Sequence, residues 1–362
     1  MVTPIISVVV PAFKRPEMLE DLIRSFELQT LDASELIIVD DCPEDEMVRQ
    51  TVLRYGQQDP RIRFYKNDVN LGFCKNLLRS IELARGLYIV VMGDDDIFMS
   101  FSALAEYRQV FDENPDVAYA YSNLVQFNGD YELDYAFKYF ASSRKFSPGI
   151  ASLRATWLRS CYIPGIALRN NADLVRYYPE KDMLFPQVEL VGKLLAENSS
   201  FGIARYLVAG RAHDSQLGFA AASGNLIKGD EKQSVDELGQ IVRKLQTFYR
   251  DETTVDLPTS VNDVVHTFYR QAHATILPTE KVHCGNRQIL ETLIKAIRND
   301  VGTLLDFRFL AYFMISLLLP KEVLLRIKEL RKKAIIRKMF TKESAMFSAF
   351  ILKVRPDLSS SI

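Results

Sequence analysis

Short apolar runs separated by amphipathic stretches organise the first hundred residues. Ile5–Val10 is β-branched and stopped by Pro11, the pattern of a strand buried on both faces. Pro16 then opens a helix where its missing N–H costs nothing, and Leu19, Leu22, Ile23 and Phe26 fall at i, i+3, i+4, i+7 on one face. Leu36–Val39 predicts a second strand ending in Asp40-Asp41, and Arg61–Tyr65 a third. Phe73–Ala84 reads as a helix closed by Gly86; Tyr88–Met92 is a strand ending in Gly93-Asp94-Asp95-Asp96, and Val117–Tyr121 is a further strand. Strands alternating with helices of this length predict an α/β fold built on a Rossmann-like, mostly parallel sheet flanked by helices. In such sheets ligands sit beyond the carboxyl ends of the strands, so Pro11–Arg15, Asp40-Asp41 and Asp94–Asp96 are expected to converge on one crevice.

Beyond about residue 220 helical periodicity takes over. The expected division is an α/β domain carrying the strand-end clusters over 1–220 and a helical C-terminal region over 221–362. Helices are predicted over Ser234–Tyr249, Ser260–Leu277 and Ile289–Ile297. Phe309–Leu319 is eleven residues without a charge, too short to span a bilayer, which takes about 20. Residues 321–342 then carry nine Lys/Arg against two Glu, a net +7 interleaved with Leu324, Leu325, Ile327, Leu330, Ile335 and Ile336. The segment at about 306–342 suits an amphipathic helix on an anionic membrane surface, a reading favoured by the adjacency of the apolar and basic runs; a helix packed on the protein with a solvated basic face is the alternative.

Composition narrows the class. With 48% hydrophobic and 25% charged residues the chain can build a core, which excludes disorder as its main state. A formal charge of −1 gives no support for a nucleic-acid partner. Cys42, Cys74, Cys161 and Cys284 stand far apart, so neither a disulfide scaffold nor a zinc ribbon is expected, and reduced thiols of a cytosolic compartment fit better. Met1–Pro4 lacks the basic region and small-residue site of a secretion signal and leads directly into the first strand.

The acidic clusters carry the chemistry. Three adjacent carboxylates repel one another, and a divalent cation removes that cost. Mg2+ or Mn2+ commonly takes one or two carboxylates plus phosphate oxygens. A solvated acidic turn is the plainer reading of Asp94–Asp96; a second Asp pair at the end of another strand favours a metal–diphosphate site. GxG, GxxxxGK[ST] and HExxH are all missing, so phosphates would be met by metal and by Lys or Arg rather than by a glycine loop.

The series Ile6–Phe13, Gln29-Thr30, Ile38–Asp41, Asn70-Leu71-Gly72 with Lys75-Asn76, Gly86–Ile89 and Gly93–Asp96 resembles the family 2 glycosyltransferases of GT-A fold. The resemblance covers residues 4–100 well and 100–218 loosely, and leans towards bacterial O-antigen or polysaccharide enzymes of the abequosyltransferase-like kind. It implies that Pro11 and Phe13 line the nucleoside pocket, with Arg15 beside them. Asp41 would accept a bond from the base with Asp40 close by, and Lys75 would stand near the nucleotide where relatives often carry Arg. Asp95 would be the metal-binding acid, with Asp94 and Asp96 in the same shell. Arg211-Ala212-His213 resembles the family's Arg-x-His element, which puts Arg211 at the phosphates and His213 at the metal; a structural histidine is the alternative. The family's general base maps onto Phe185–Leu190, where Gln187 occupies the usual acid's place. Candidates are therefore Glu189, Asp182 and Glu180, although Glu189 also reads as an ordinary helix residue. The aromatic stretch from Asn128 to Pro164 suits an acceptor loop or a packed insertion.

The implied activity is inverting, metal-dependent transfer of a hexosyl or deoxyhexosyl group from a nucleotide-diphosphate sugar to a polyprenyl-diphosphate-linked saccharide, at the cytoplasmic, inner face of the cell membrane. A nucleotidyltransferase acting on sugar phosphates is the enzymatic alternative. It would carry a glycine-bearing loop after the first strand, and Pro11–Arg15 has no glycine. An inactive transferase-fold membrane scaffold is the other.

Overall fold

The structure, a computed structural model, describes residues 3–212, 231–252 and 301–360, with scattered positions between 277 and 298. It packs as two units, Met1–Asp230 with Met339–Ile362, and Glu231–Lys338.

The first unit is built on one ten-stranded sheet. Its opening half alternates as the apolar runs predict: β1 (Ile6–Ala12), α1 (Pro16–Glu27), β2 (Ser34–Asp40), α2 (Met47–Gly56), β3 (Ile62–Lys66), α3 (Phe73–Glu82) and β4 (Tyr88–Val91). β1, β2 and β4 are buried throughout, which is why they read as unbroken apolar runs. β5 (Ile97–Phe98), α4 (Ala103–Glu113), β6 (Val117–Phe127), β7 (Leu133–Phe137), β8 (Arg144–Phe146), α5 (Ile150–Thr156), β9 (Ile166–Arg169), α6 (Pro186–Glu197) and β10 (Ser199–Arg211) follow.

The order β3-β2-β1-β4-β9-β6-β10-β5 places β1 between β2 and β4, both parallel to it. The chain winds one way from β1 through β2 and β3, then crosses back to β4. The β1/β4 boundary is thus the point where strand order reverses, the place such sheets bind ligands. β6 and β10 also pair in parallel, while β9 runs antiparallel to both β4 and β6 and joins the two parallel blocks. The aromatic stretch is partly regular: β7 pairs with β6, and the Tyr139 ring gathers Tyr121, Phe137 and Phe140 around it at centroid separations of 5.8–6.3 Å, stacked on Phe137 and edge-on to Phe140.

The end of α9 (Lys321–Val354) also belongs to this unit. Phe347, Phe350, Ile351 and Val354, at i, i+3, i+4 and i+7, are all buried. Phe347 lies 5.6 Å from the Phe127 ring and Phe350 5.0 Å from Phe101. Burying these four side chains contributes about 6–12 kcal/mol before conformational entropy is subtracted.

In the second unit the predicted helix at Ser234–Tyr249 runs from Glu231 to Glu252 as α7. Of the Ser260–Leu277 helix only Leu277 is described. α8 (Phe307–Leu318) takes in the uncharged run except for Leu319 and is capped by Asp306, whose Oδ1 accepts from the N–H groups of Arg308 and Phe309. Phe309 and Phe313 pack with Leu277, Ile289 and Ala296, whereas Leu305, Phe307 and Leu318 are exposed by 88%, 75% and 67%. Among the described residues no helix is long and apolar enough to cross a membrane.

Candidate functional site

The strand-end clusters meet at the β1/β4 boundary. The Asp41 N–H donates to the Ala12 carbonyl, joining the ends of β2 and β1. On the other side the Phe13 N–H donates to Asp94 Oδ2 at 2.9 Å, tying the loop after β1 to the acidic turn after β4. Pro11 is buried inside β1; Phe13 is half-buried beyond it, with Lys14 Nζ 5.0 Å from its ring. Lys14 adopts φ 56°, a left-handed conformation uncommon for a side-chain-bearing residue, and that bend brings Arg15 back towards the acids.

The three acids have distinct surroundings. Asp94 is 1% exposed and pairs with Arg15 Nη2 at 2.5 Å; Asp95 pairs with Arg15 Nη1 at 2.7 Å. Asp96 Oδ2 accepts from the Gly93 N–H and Oδ1 from the Arg211 N–H. A Cβ on Gly93 would lie 2.5 Å from Asp96 Oδ2 and 2.9 Å from Asp95 Oδ1, so any larger residue there would displace these carboxylates. Burial pushes the Asp94 carboxyl up to about 6 despite Arg15, and burial with the charge of Asp95 pushes Asp96 well up.

This donor set fits a hard divalent cation. It is entirely carboxylate oxygen, its charges are crowded, and the Arg15 guanidinium that bridges Asp94 and Asp95 already stands as an internal cation. Among the described residues no three His, Cys, Asp or Glu side chains are arranged to hold an ion by themselves, so phosphate oxygens would have to complete its shell. Asp95, the most exposed of the three at 9%, is best placed to bind, with Asp94 and Asp96 behind it. His213 lies outside the described residues.

Asp40 and Asp41 differ from each other as sharply. Asp41 accepts from Asn67 Nδ2 at 2.7 Å, from the Leu71 N–H at 2.8 Å and from the Gly72 N–H at 2.9 Å, so it shapes the loop that precedes α3. Gly72 has φ 79° there, a conformation that favours glycine. Lys75 follows, exposed on the first turn of α3. Asp40 is fully buried; its Oδ1 accepts from the Cys42 N–H, and Oδ2 has no partner among the described residues. Burial raises its carboxyl to about 6.

Asp182 is exposed and its Oδ2 lies beside Gly72, 3.7 Å from where a Cβ there would stand, which brings it to the Asp41 side of the crevice. Glu180 is exposed two residues earlier. Glu189 is 1% exposed inside α6 and pairs with Lys193 at 2.9 Å. Gln187 is 3% exposed, and neither of its amide atoms has a partner among the described residues.

Arg211 is buried at the end of β10. Its Nη2 pairs with Asp21 Oδ2 at 2.6 Å, and its Nε donates to the Asp95 carbonyl at 3.2 Å. Asp21 escaped the sequence reading because it lies on the flank of the α1 stripe. With Ser25 it forms a buried polar pair at i, i+4, and that pair is the one local signal it leaves.

Residues 7–173 match the profile described as "Glycosyl transferase family 2". The chain is 38% identical over 94 residues to a putative colanic acid biosynthesis glycosyl transferase, WcaA, of Escherichia coli, covering 26% of this chain and 33% of that protein. It is 34% identical over 119 residues to the abequosyltransferase RfbV of Salmonella typhimurium, covering 31% and 34% respectively. A Campylobacter jejuni protein named GalNAc(5)-diNAcBac-PP-undecaprenol beta-1,3-glucosyltransferase is 28% identical over 137 residues, or 37% of this chain and 43% of that one. The matched stretch spans less than half the length of each of these relatives. In fold, the chain is similar to Staphylococcus aureus TarS 1-349 in complex with UDP, with a TM-score of 0.58 at 13% identity, covering 96% of this chain and 91% of that one.

Proposed function

Residues 7–173 form a family 2 glycosyltransferase domain, and from that premise we propose that the chain moves a hexosyl or deoxyhexosyl group from a nucleotide-diphosphate sugar to a hydroxyl of a polyprenyl-diphosphate-linked saccharide. The observation that carries the reading is the 2.9 Å bond from the Phe13 N–H to Asp94 Oδ2, which puts the loop after β1 and the acidic turn in one crevice. Names of relatives acting in surface-polysaccharide assembly, one of them on an undecaprenol-linked saccharide, support the choice of acceptor.

Pro11, Phe13, Asp40 and the Asp41-shaped loop flank the nucleoside, and Arg15 and Lys75 face the diphosphate. A divalent cation on Asp95 and its neighbours, when bound, neutralises the charge that grows on the departing diphosphate. Arg211 acts from behind the turn, holding the Asp95 carbonyl. The acceptor oxygen attacks the anomeric carbon as the bond to the diphosphate breaks on the opposite face, which inverts the configuration. Asp182, exposed in the crevice, takes the hydroxyl proton, with Glu189 as the alternative acid. The exposed apolar residues Leu305, Phe307 and Leu318, followed in sequence by the basic run, support attachment to an anionic membrane surface at its cytoplasmic face.

Hydrolysis of UDP-, GDP-, CDP- and dTDP-sugars with and without Mn2+ tests the reading, in wild type and Asp95→Ala. Free nucleoside diphosphate appearing only with metal and intact Asp95 is the expected result. Release of pyrophosphate would point to nucleotidyl transfer, and no release of either kind to a scaffold.

A further inference from the structure

The strongest polar cluster outside the crevice lies behind it. Asp21 is 1% exposed in the middle of α1, and a carboxylate so placed is stable only when fully paired. Its Oδ2 accepts from Arg211 Nη2 and from the Tyr131 hydroxyl, each at 2.6 Å, and its Oδ1 from Arg355 Nη1 at 3.4 Å. Arg355 Nη1 also donates to the Tyr131 oxygen, so that hydroxyl passes a bond from Arg355 to Asp21.

Two features mark this as a built arrangement. Tyr131, in the loop between β6 and β7, has φ 60°, which a bulky side chain rarely adopts unless its surroundings impose it. Its ring lies 5.1 Å from each of the guanidinium carbons of Arg211 and Arg355 and stacks on Phe127 at 5.9 Å. Arg355 is fixed in turn: its Nε and Nη2 form a fork on Asp357, just past the end of α9, where Arg24 Nη1 donates to the Val354 carbonyl.

We propose that Tyr131 and Arg355 are positioning residues for the donor site. They hold Asp21, Asp21 holds Arg211, and Arg211 fixes the acidic turn through the Asp95 carbonyl at 3.2 Å and the Asp96 carboxylate at 3.3 Å. The segment after α9 thereby sets the geometry of a turn that it does not touch. The inference rests on the reading of Asp94–Asp96 as the site of the donor's diphosphate. Neither residue contacts the acids directly, so the effect falls on how well the metal–nucleotide complex is gripped more than on the chemical step.

The full chain is titrated by calorimetry with UDP, GDP, CDP and dTDP in the presence of Mn2+, and the nucleotide that binds wild type is then carried through Arg355→Ala, Arg355→Lys and Tyr131→Phe. Arg355→Ala is expected to raise the dissociation constant about fivefold to tenfold and Tyr131→Phe about threefold, each with a larger rise in KM than fall in kcat. Arg355→Lys keeps the charge on Asp21 and is expected to recover most of the loss. Near-UV circular dichroism verifies folding, and if Arg355→Ala does not fold, Tyr131→Phe, which removes one oxygen, decides alone. Wild-type affinity in the folded variants, or a loss in kcat without one in binding, overturns the positioning role while leaving the donor site standing. A wild type that binds none of the four nucleotides overturns the donor site and the positioning role together.

Discussion

Arg15 Nη1 stands 2.7 Å from Asp95 Oδ2, so a side chain of the protein itself supplies positive charge where a diphosphate-bound cation is proposed to sit. Arg15→Ala is expected to cost about 1–3 kcal/mol of stability, because it leaves crowded carboxylates without their fork. Mn2+ should restore part of that loss. Urea unfolding of wild type and variant, with and without 1 mM Mn2+ (roughly, a concentration for a weak site), measures both effects. A variant as stable as wild type would count against the stabilising role of the fork, and one that Mn2+ leaves unchanged would count against a cation site on these acids.

Asp40 gives a pH dependence with a defined sign. Burial lifts its carboxyl from 3.8 to about 6, so between those values the folded chain holds a proton that the unfolded chain has released. Its contribution to stability is complete below about pH 4 and falls as pH rises through 6. Asp40→Asn removes that loss. The stability of the variant relative to wild type should therefore rise by about 1–3 kcal/mol between pH 4.5 and 7.5. Denaturant unfolding at the two pH values reads the difference, and parallel curves would show that Asp40 is ionised throughout.

The two candidate bases separate by what each substitution breaks. Asp182 is exposed beside Gly72, so Asp182→Asn should leave the melting temperature near wild type while lowering kcat by about 100-fold. Glu189 is buried against Lys193, and Glu189→Gln leaves that ammonium without its carboxylate, at a cost of about 2–4 kcal/mol. Steady-state kinetics beside thermal unfolding distinguishes them. Loss of kcat in a fully stable Glu189→Gln would move the base to α6.

Leu305 and Phe307 test the membrane reading, being 88% and 75% exposed beside the cap of α8. The double variant Leu305→Ser, Phe307→Ser should bind vesicles containing phosphatidylglycerol about tenfold more weakly, a modest loss for two apolar anchors. Flotation on such vesicles, with neutral vesicles as reference, gives the comparison. Equal flotation of both proteins would remove these residues from any membrane contact.

The parallel opening of the sheet was legible because β1, β2 and β4 are buried on both faces and leave continuous apolar runs such as Val8-Val9-Val10. β5 is only two residues, and β8 is three residues long and largely exposed, so neither leaves a periodic signal. In the site, carboxylates adjacent in sequence were conspicuous, whereas the bond from Phe13 to Asp94 that ties the loop after β1 to the acidic turn spans 81 positions. Asp21, Tyr131 and Arg355 were not legible, since each acts through a partner more than 100 positions away. A signal for the last of them was present: Phe347, Phe350, Ile351 and Val354 keep a helical stripe just before it.

That docking also sets an order of events during synthesis. Asp21 leaves the ribosome 334 positions ahead of Arg355, and 190 ahead of Arg211. Arg211 can meet that carboxylate once β10 has emerged, but until Arg355 follows, Asp21 Oδ1 lacks its second guanidinium, and Phe127 and Phe101 lack the Phe347 and Phe350 rings. All ten strands lie within Ile6–Arg211 and can pair as they emerge, but the face that takes Phe347 and Phe350 stays uncovered until the end of α9 is made, which leaves a completed sheet with an open apolar patch that chaperones can shield in the meantime.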